Sequence, residues 1–269
     1  MNEMQLSMRN EENFTYQLAA SRAPVFLWLY AAAIGIAEVV TAYFSPMHGI
    51  ICHALLLVAL LVHASRNYKQ DINRMYLAMA LAPLIRIMSL AMPLTGVPPI
   101  YWYLVISLPL FAAGVSVMKQ ARFKPREVNM TAGILPYQLL VALVGIPLGY
   151  VEYLILRPEP LAAGLTLQLI WFPALVLLIS TGFLEEFIFR GVMYRAALET
   201  MGGYYSIIYI SVIFMLLHIT HRSPLDLAFV FGVALLFSVI VGFSRSILGV
   251  SIAHGLTNIG LYLVWPFLL

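Results

Sequence analysis

A chain of 269 residues that is 62% hydrophobic and only 10% charged lies far from soluble averages of about 45–50% apolar and about 25% charged. That composition excludes a water-soluble globular domain and points to an integral membrane protein. A formal net charge of +3 is too small to define a nucleic-acid surface by itself, and a single cysteine, Cys52, excludes an intrachain disulfide or a cysteine metal cluster.

The first 23 residues carry Glu3, Arg9, Glu11, Glu12 and Arg22 and lack the apolar core and small-residue cleavage site of a signal peptide. They predict a retained polar N-terminal segment, 1–23. Beyond it, apolar runs of spanning length, about 17–25 residues, are read at 24–44, 49–65, 75–94, 100–118, 133–152, 164–189, 205–220, 225–243 and 249–267. The runs 49–65, 205–220 and 225–243 are the least distinct, being short or joined to a neighbour by a very short link. Continuously apolar runs exclude a β-barrel, whose strands alternate over roughly 10 residues. The predicted fold is an all-α, polytopic transmembrane bundle of eight or nine helices.

Basic residues recur at alternate ends of the spans. Arg9 and Arg22 precede the first, Arg66, Lys69 and Arg74 follow the second, and Lys119, Arg122, Lys124 and Arg126 follow the fourth, whereas the links 45–48 and 95–99 carry none. The positive-inside rule places the N-terminus in the cytoplasm, and alternation with the spans assigns the basic clusters to topology rather than to nucleic acid. Lys119–Arg126 with Pro125 is the one clear boundary. It divides the N-terminal helices (24–118) from a basic cytoplasmic linker (119–132) and a C-terminal core (133–269) that holds the chemistry-bearing residues.

Ionisable groups inside apolar runs are costly, and they mark function by default. In the N-terminal spans Glu38 and Arg86 are expected to pair with each other or with backbone carbonyls, and His48, His53 and His63 to be structural or interfacial. In the C-terminal half three clusters stand out: Glu185-Glu186 with Arg190, Phe214 with His218, and His254 with Asn258. Gly202-Gly203 predicts a helical hairpin tip. Glu185 lies 17 residues before Gly202 and His218 16 after it, so both reach nearly equal depth, about 25 Å from the tip. Residues 190–204, with Arg190, Arg195 and Glu199, then project into the cytoplasm, and the site opens to that side.

Glu186 and Arg190 stand four apart on one helical face, in the favourable order for an ion pair, while Glu185 points about 100° away. Glu185 is left the weaker partner in a low-dielectric place and suits a general base. His218 at the same depth holds a water against it. His254 and Asn258 share a face and present hydrogen-bond donors with no negative charge, suited to an oxyanion. Phe214 reads as packing and Tyr194 as support for Arg190.

These clusters resemble the CAAX-protease and bacteriocin-processing family, intramembrane glutamate proteases that include the type II CAAX prenyl endopeptidases. The resemblance rests on Glu185-Glu186-Phe187-Ile188-Phe189-Arg190, on Phe214-Met215-Leu216-Leu217-His218, and on His254-Gly255-Leu256-Thr257-Asn258, in the family's order. It covers about residues 165–262. It implies that Glu185 and His218 activate water, that Glu186 and Arg190 organise the site, and that His254 and Asn258 form the oxyanion hole. It further implies cleavage of a peptide or protein substrate near the membrane surface, of CAAX type, with a lipidated C-terminus, or related to bacteriocins. Membrane lipids are the other partner, and no nucleic acid is expected.

Two alternatives stand beside this. His218, His254 and Glu185 equally supply the two-His, one-carboxylate set of a zinc site. No His-Glu-x-x-His helix is present and Arg190 opposes a cation, so zinc is disfavoured and no cofactor is expected. A non-catalytic scaffold or regulator would use the same clusters as a buried polar network.

Overall fold

The structure, a computed structural model, describes residues 24–92 and 96–269. The N-terminal segment 1–23, with Arg9 and Arg22, lies outside the described residues. Nine helices among the described residues are long and apolar enough to cross a membrane. They are α1 (Val25–Phe44), α2 (Pro46–Arg66), α3 (Ile72–Ala91), α4 (Pro99–Gln120), α5 (Leu135–Leu156), α6 (Leu167–Met201), α7 (Gly203–His221), α8 (Pro224–Ser244) and α9 (Leu248–Leu268). The described residues contain no β-strand. The all-α polytopic bundle is therefore as predicted, at the upper helix count. The three least distinct runs form α2, α7 and α8, of 21, 19 and 21 residues. Polar residues at their ends, His63 and Arg66 among them, continue the helix past its apolar middle.

Helices that satisfy their own backbone are the form a chain of this composition takes in hydrocarbon. Leu29, Leu55, Leu108, Leu140 and Trp171 stay exposed on the outside, while the interior is filled from α3, α6, α7 and α8 by residues such as Met79, Phe187, Tyr209 and Phe237. Inside the N-terminal helices the expected pair is formed: Arg86 Nε donates to Glu38 Oε1 at 2.7 Å, and His53 Nε2 lies 3.4 Å from the same oxygen. His63 shares a hydrogen bond of 2.7 Å with the Tyr30 hydroxyl.

The 35-residue α6 is longer than the 164–189 run predicts. Its charged last turns continue as helix because each charge meets a partner. Arg195 reaches Glu199 at 2.7 Å and Glu127 at 3.3 Å, and Arg74 at the start of α3 reaches Glu199 at 2.8 Å. Such half-exposed pairs add little stability, about 0–1 kcal/mol each, but they fix which element lies beside α6. Within residues 190–204 neighbouring segments pack around α6, and Tyr194, Ala196, Ala197 and Met201 are buried while Tyr204 is exposed. These segments include the stretch after α4. Asn129 Nδ2 donates to the Arg190 carbonyl at 3.1 Å, the Ile247 amide donates to the Asn129 carbonyl at 3.0 Å, and Thr131 Oγ1 donates to the Arg245 carbonyl at 2.7 Å. The basic connection is thus fastened to both α6 and the α8–α9 link. The tip itself is as read: Gly202, at φ +75°, ends α6 and turns the chain into α7.

Candidate active site

Glu185 and Glu186 sit at the middle of α6, in a short α-helical step, Leu184–Glu186, between two π-helical stretches, Leu178–Phe183 and Phe187–Met193. Wide turns of this kind occur mostly as local bulges, often at functional sites. The two glutamates have different surroundings, as successive positions on a helix require. Glu186 is fully buried, whereas the Glu185 side chain is 31% exposed.

Glu186 is the hub of a buried network. Its Oε1 accepts from Arg190 Nη1 at 3.0 Å and lies 2.9 Å from His254 Nδ1. Arg190 is itself buried, lies over the Phe214 ring with its guanidinium carbon 4.3 Å from the centroid, and reaches the Ala234 carbonyl with Nη2 at 3.4 Å. Pairing a buried arginine this way is what makes its burial tolerable. Phe214 is the platform of the site: its centroid is 4.9 Å from Phe189, 4.8 Å from the His218 ring and 6.0 Å from the His254 ring.

The hydrogen-bond partners also fix which nitrogens are free. His218 Nδ1 lies 2.8 Å from the Phe214 carbonyl, which can only accept, so Nδ1 carries the proton and Nε2 keeps its lone pair. His254 Nδ1 donates to the Glu186 carboxylate, leaving Nε2 toward Glu185 Oε2 at 3.9 Å. That gap is too long for a direct hydrogen bond and is the size bridged by an intervening group. Asn258 Nδ2 donates to Thr181 Oγ1 at 2.8 Å, and Thr181 donates to the Leu177 carbonyl at 2.6 Å.

All six sequence-read residues, Glu185, Glu186, Arg190, His218, His254 and Asn258, line one cavity of about 180 Å³. Glu185 and His218 line the same cavity, and the imidazole within ion-pair range of Glu185 is that of His254. The second-turn position of His254 on α9 sets it between the two glutamates, because α9 packs closely on α6. A Cβ on Gly182 would stand 2.5 Å from the Ser251 carbonyl oxygen, so the two backbones touch one turn before the glutamates. His254 and Asn258, expected as hydrogen-bond donors, each spend one donor on α6: Glu186 has a second lone-pair site that Arg190 does not fill, and Thr181 stands one turn before Glu185.

The same cavity contains residues the motifs do not include. Glu152 from α5, Tyr103 from α4, Tyr262 from α9, Thr181, His221 and Thr257 all line it. His221 Nδ1 lies 2.8 Å from Asp226 Oδ2, and the His221 ring is 5.3 Å from that of His218. Asp226 is buried in the first turn of α8, where Ser223 caps the helix by accepting from its amide. The signal was present in Ser223-Pro224 as a helix start. Glu152 carried the same signal as Glu185, a carboxylate within an apolar run.

The turn that carries His218 is held from outside the C-terminal half. Arg86 Nη2 donates to the Leu217 carbonyl at 2.5 Å, and Arg222 Nη2 donates to the Ala42 carbonyl. Two arginines thus tie the α7–α8 junction to α1 and α3.

Comparison with curated proteins and with solved structures gives no match. A family model described as Type II CAAX prenyl endopeptidase Rce1-like matches residues 167–260, the stretch that runs from α6 to α9 and holds all three motifs. That match bears out, over residues 167–260, the resemblance to the CAAX-protease and bacteriocin-processing family read from the motifs.

Proposed function

We propose that the protein is an intramembrane endopeptidase in which Glu185 activates water for attack on a peptide carbonyl. The observation that carries this is the convergence of two carboxylates, two imidazoles, an arginine and an amide from α6, α7 and α9 on one cavity. Glu185, the glutamate without a hydrogen-bonded cation, takes a proton from water, and His218 Nε2 orients that water by accepting its other hydrogen. The hydroxide oxygen bonds to the carbonyl carbon, and the electron pair moves to the carbonyl oxygen. His254 as the imidazolium, its Nδ1–H held by Glu186 and its Nε2–H turned to the site, and the free Asn258 N–H face that oxyanion. The tetrahedral species collapses as the C–N bond breaks, and the proton on Glu185 passes to the leaving amine. Glu186 and Arg190 take no proton and hold His254 in place. The reaction is metal-independent in this reading, and the substrate is a peptide of CAAX type or bacteriocin-related.

The test is mass spectrometry of a peptide library incubated with purified protein and with Glu185→Gln. New termini that require Glu185 support the reading. Identical products from both proteins, or none from either with folded protein, overturn it and favour a scaffold.

A further inference from the structure

The reaction cavity has a carboxylate that the hydrolytic steps leave unused. Glu152, near the end of α5, lines the cavity with Glu185, and at 7% exposure it is buried. Close packing puts it there. Gly145, Gly149 and Glu152 are the buried residues in the second half of α5, spaced i, i+4 and i+7 on one face. A Cβ on Gly149 would stand 2.5 Å from the Thr257 carbonyl oxygen. This face of α5 therefore lies directly on α9, and it carries the glutamate to the space that Thr257 and Tyr262 also line.

The other carboxylates in or beside the cavity are matched. Glu186 holds Arg190 and His254, Glu185 has His254 Nε2 at 3.9 Å, and Asp226 has His221 Nδ1 at 2.8 Å. Among the described residues Glu152 has no hydrogen bond and no basic nitrogen within ion-pair range, and its oxygens open on the cavity instead of being sealed in protein. Its neighbours are engaged elsewhere: the Thr257 hydroxyl donates to the Ala253 carbonyl at 3.0 Å, and Tyr262 hydrogen-bonds Tyr103. Burying an ionisable group without a partner is costly, and no contact within the protein offsets that cost. A cation brought by a ligand would.

We propose that Glu152 is the seat of a primary ammonium group of the peptide. That group has two possible sources, the new N-terminus of the leaving fragment and a lysine side chain, and the first of them rests on the peptidase reading. Once Glu185 has given its proton to the departing nitrogen, that nitrogen is a neutral amine. The proton of the new carboxyl group then passes to it, leaving a carboxylate and an ammonium. Glu152 accepts the ammonium N–H in a charge-assisted hydrogen bond, which draws the nitrogen off the carbon it has just left and opposes re-formation of the bond. A lysine of the substrate presents the same group before the cut and would be held by the same oxygens.

The test needs no turnover. Alanyl-leucyl-leucine amide, its N-acetyl form and N-acetyl-lysyl-leucyl-leucine amide carry, in turn, an α-ammonium, no charge and a side-chain ammonium. Their binding to the full-length protein in detergent is measured by titration calorimetry, with Glu152→Gln and Glu152→Met alongside. At least one ammonium peptide should bind the unsubstituted protein about tenfold or more tightly than it binds either variant, and the uncharged peptide should bind all three proteins alike. Dependence on Glu152 in the first peptide assigns the seat to the leaving fragment, and in the third to a substrate lysine. Affinities that do not change with Glu152, or no binding of any peptide, overturn the proposal. A lower thermal midpoint in both variants overturns it too, because it would make the carboxylate a structural tether. Glu152-dependent binding by a protein that cleaves nothing in the peptide library overturns the peptidase reading and leaves an amine site; cleavage with Glu152-independent binding leaves the peptidase and removes the seat.

Discussion

Replacing Gly182 by alanine separates the two halves of the site without touching an ionisable group. The added Cβ would stand 2.5 Å from the Ser251 carbonyl oxygen, 2.9 Å from the Gly255 nitrogen and 3.0 Å from its Cα. All three are backbone atoms of α9 that flank His254, so none can swing aside. Restoring van der Waals separation, about 3.5 Å, moves α9 from α6 by about 1 Å. The His254 Nδ1 to Glu186 contact, 2.9 Å, then lengthens past the hydrogen-bond range of about 2.7–3.2 Å. A misplacement of that size costs about 100-fold in rate, and overpacking costs about 1–3 kcal/mol of stability. Gly232→Ala in α8 is the matched control, since its Cβ meets nothing within 4 Å and alanine is the better helix former. The assay is kcat for a cleaved peptide together with the thermal midpoint in detergent for both variants. Gly182→Ala with unaltered kcat would refute the claim that the α6–α9 approach sets the catalytic geometry.

Other expectations follow from single contacts. Arg190→Met leaves the buried Glu186 carboxylate without its cation, so stability should fall by about 3–5 kcal/mol, read as a lower midpoint in a denaturation series; Glu185→Gln, at a half-exposed position, should leave the midpoint within error. Arg86→Met frees the Leu217 carbonyl and loosens the His218 turn. It should lower kcat with KM little changed, and Arg86→Lys should recover part of the loss; equal losses in both variants confined to KM would refute a positioning role. Chelation by 1,10-phenanthroline should leave cleavage unchanged, and recovery of lost activity by added zinc would refute the metal-independent mechanism.

Much of this was legible in the sequence because hydrocarbon is a severe solvent. Each span announces itself as an unbroken apolar run, and each intramembrane Glu, His or Arg stands out against it. The i, i+4 spacing of Glu186 and Arg190 even gave their ion pair. What stayed hidden was set by close approach between distant segments. Nothing in the run around Gly182 tells that α9 touches it, so the seat of His254 between the glutamates was not readable. The hairpin arithmetic about Gly202 sets Glu185 and His218 at one depth but says nothing of lateral packing, which adds His254 from α9 beside Glu185. Asp226 stands only two residues into α8, and the Ser223 cap at the helix start draws it into the bundle.

The clasp of Arg86 on the Leu217 carbonyl and of Arg222 on the Ala42 carbonyl bears on how this protein can be taken apart. The stretch 167–260 looks like a portable module, yet the turn that ends its second helix is fastened from residues more than a hundred positions upstream. A fragment beginning at residue 133 would carry every motif and lack both anchors. Co-production of residues 1–120 as a separate polypeptide offers a way to restore them, with the two pieces finding each other in the bilayer through these two arginine–carbonyl contacts and not through a covalent link.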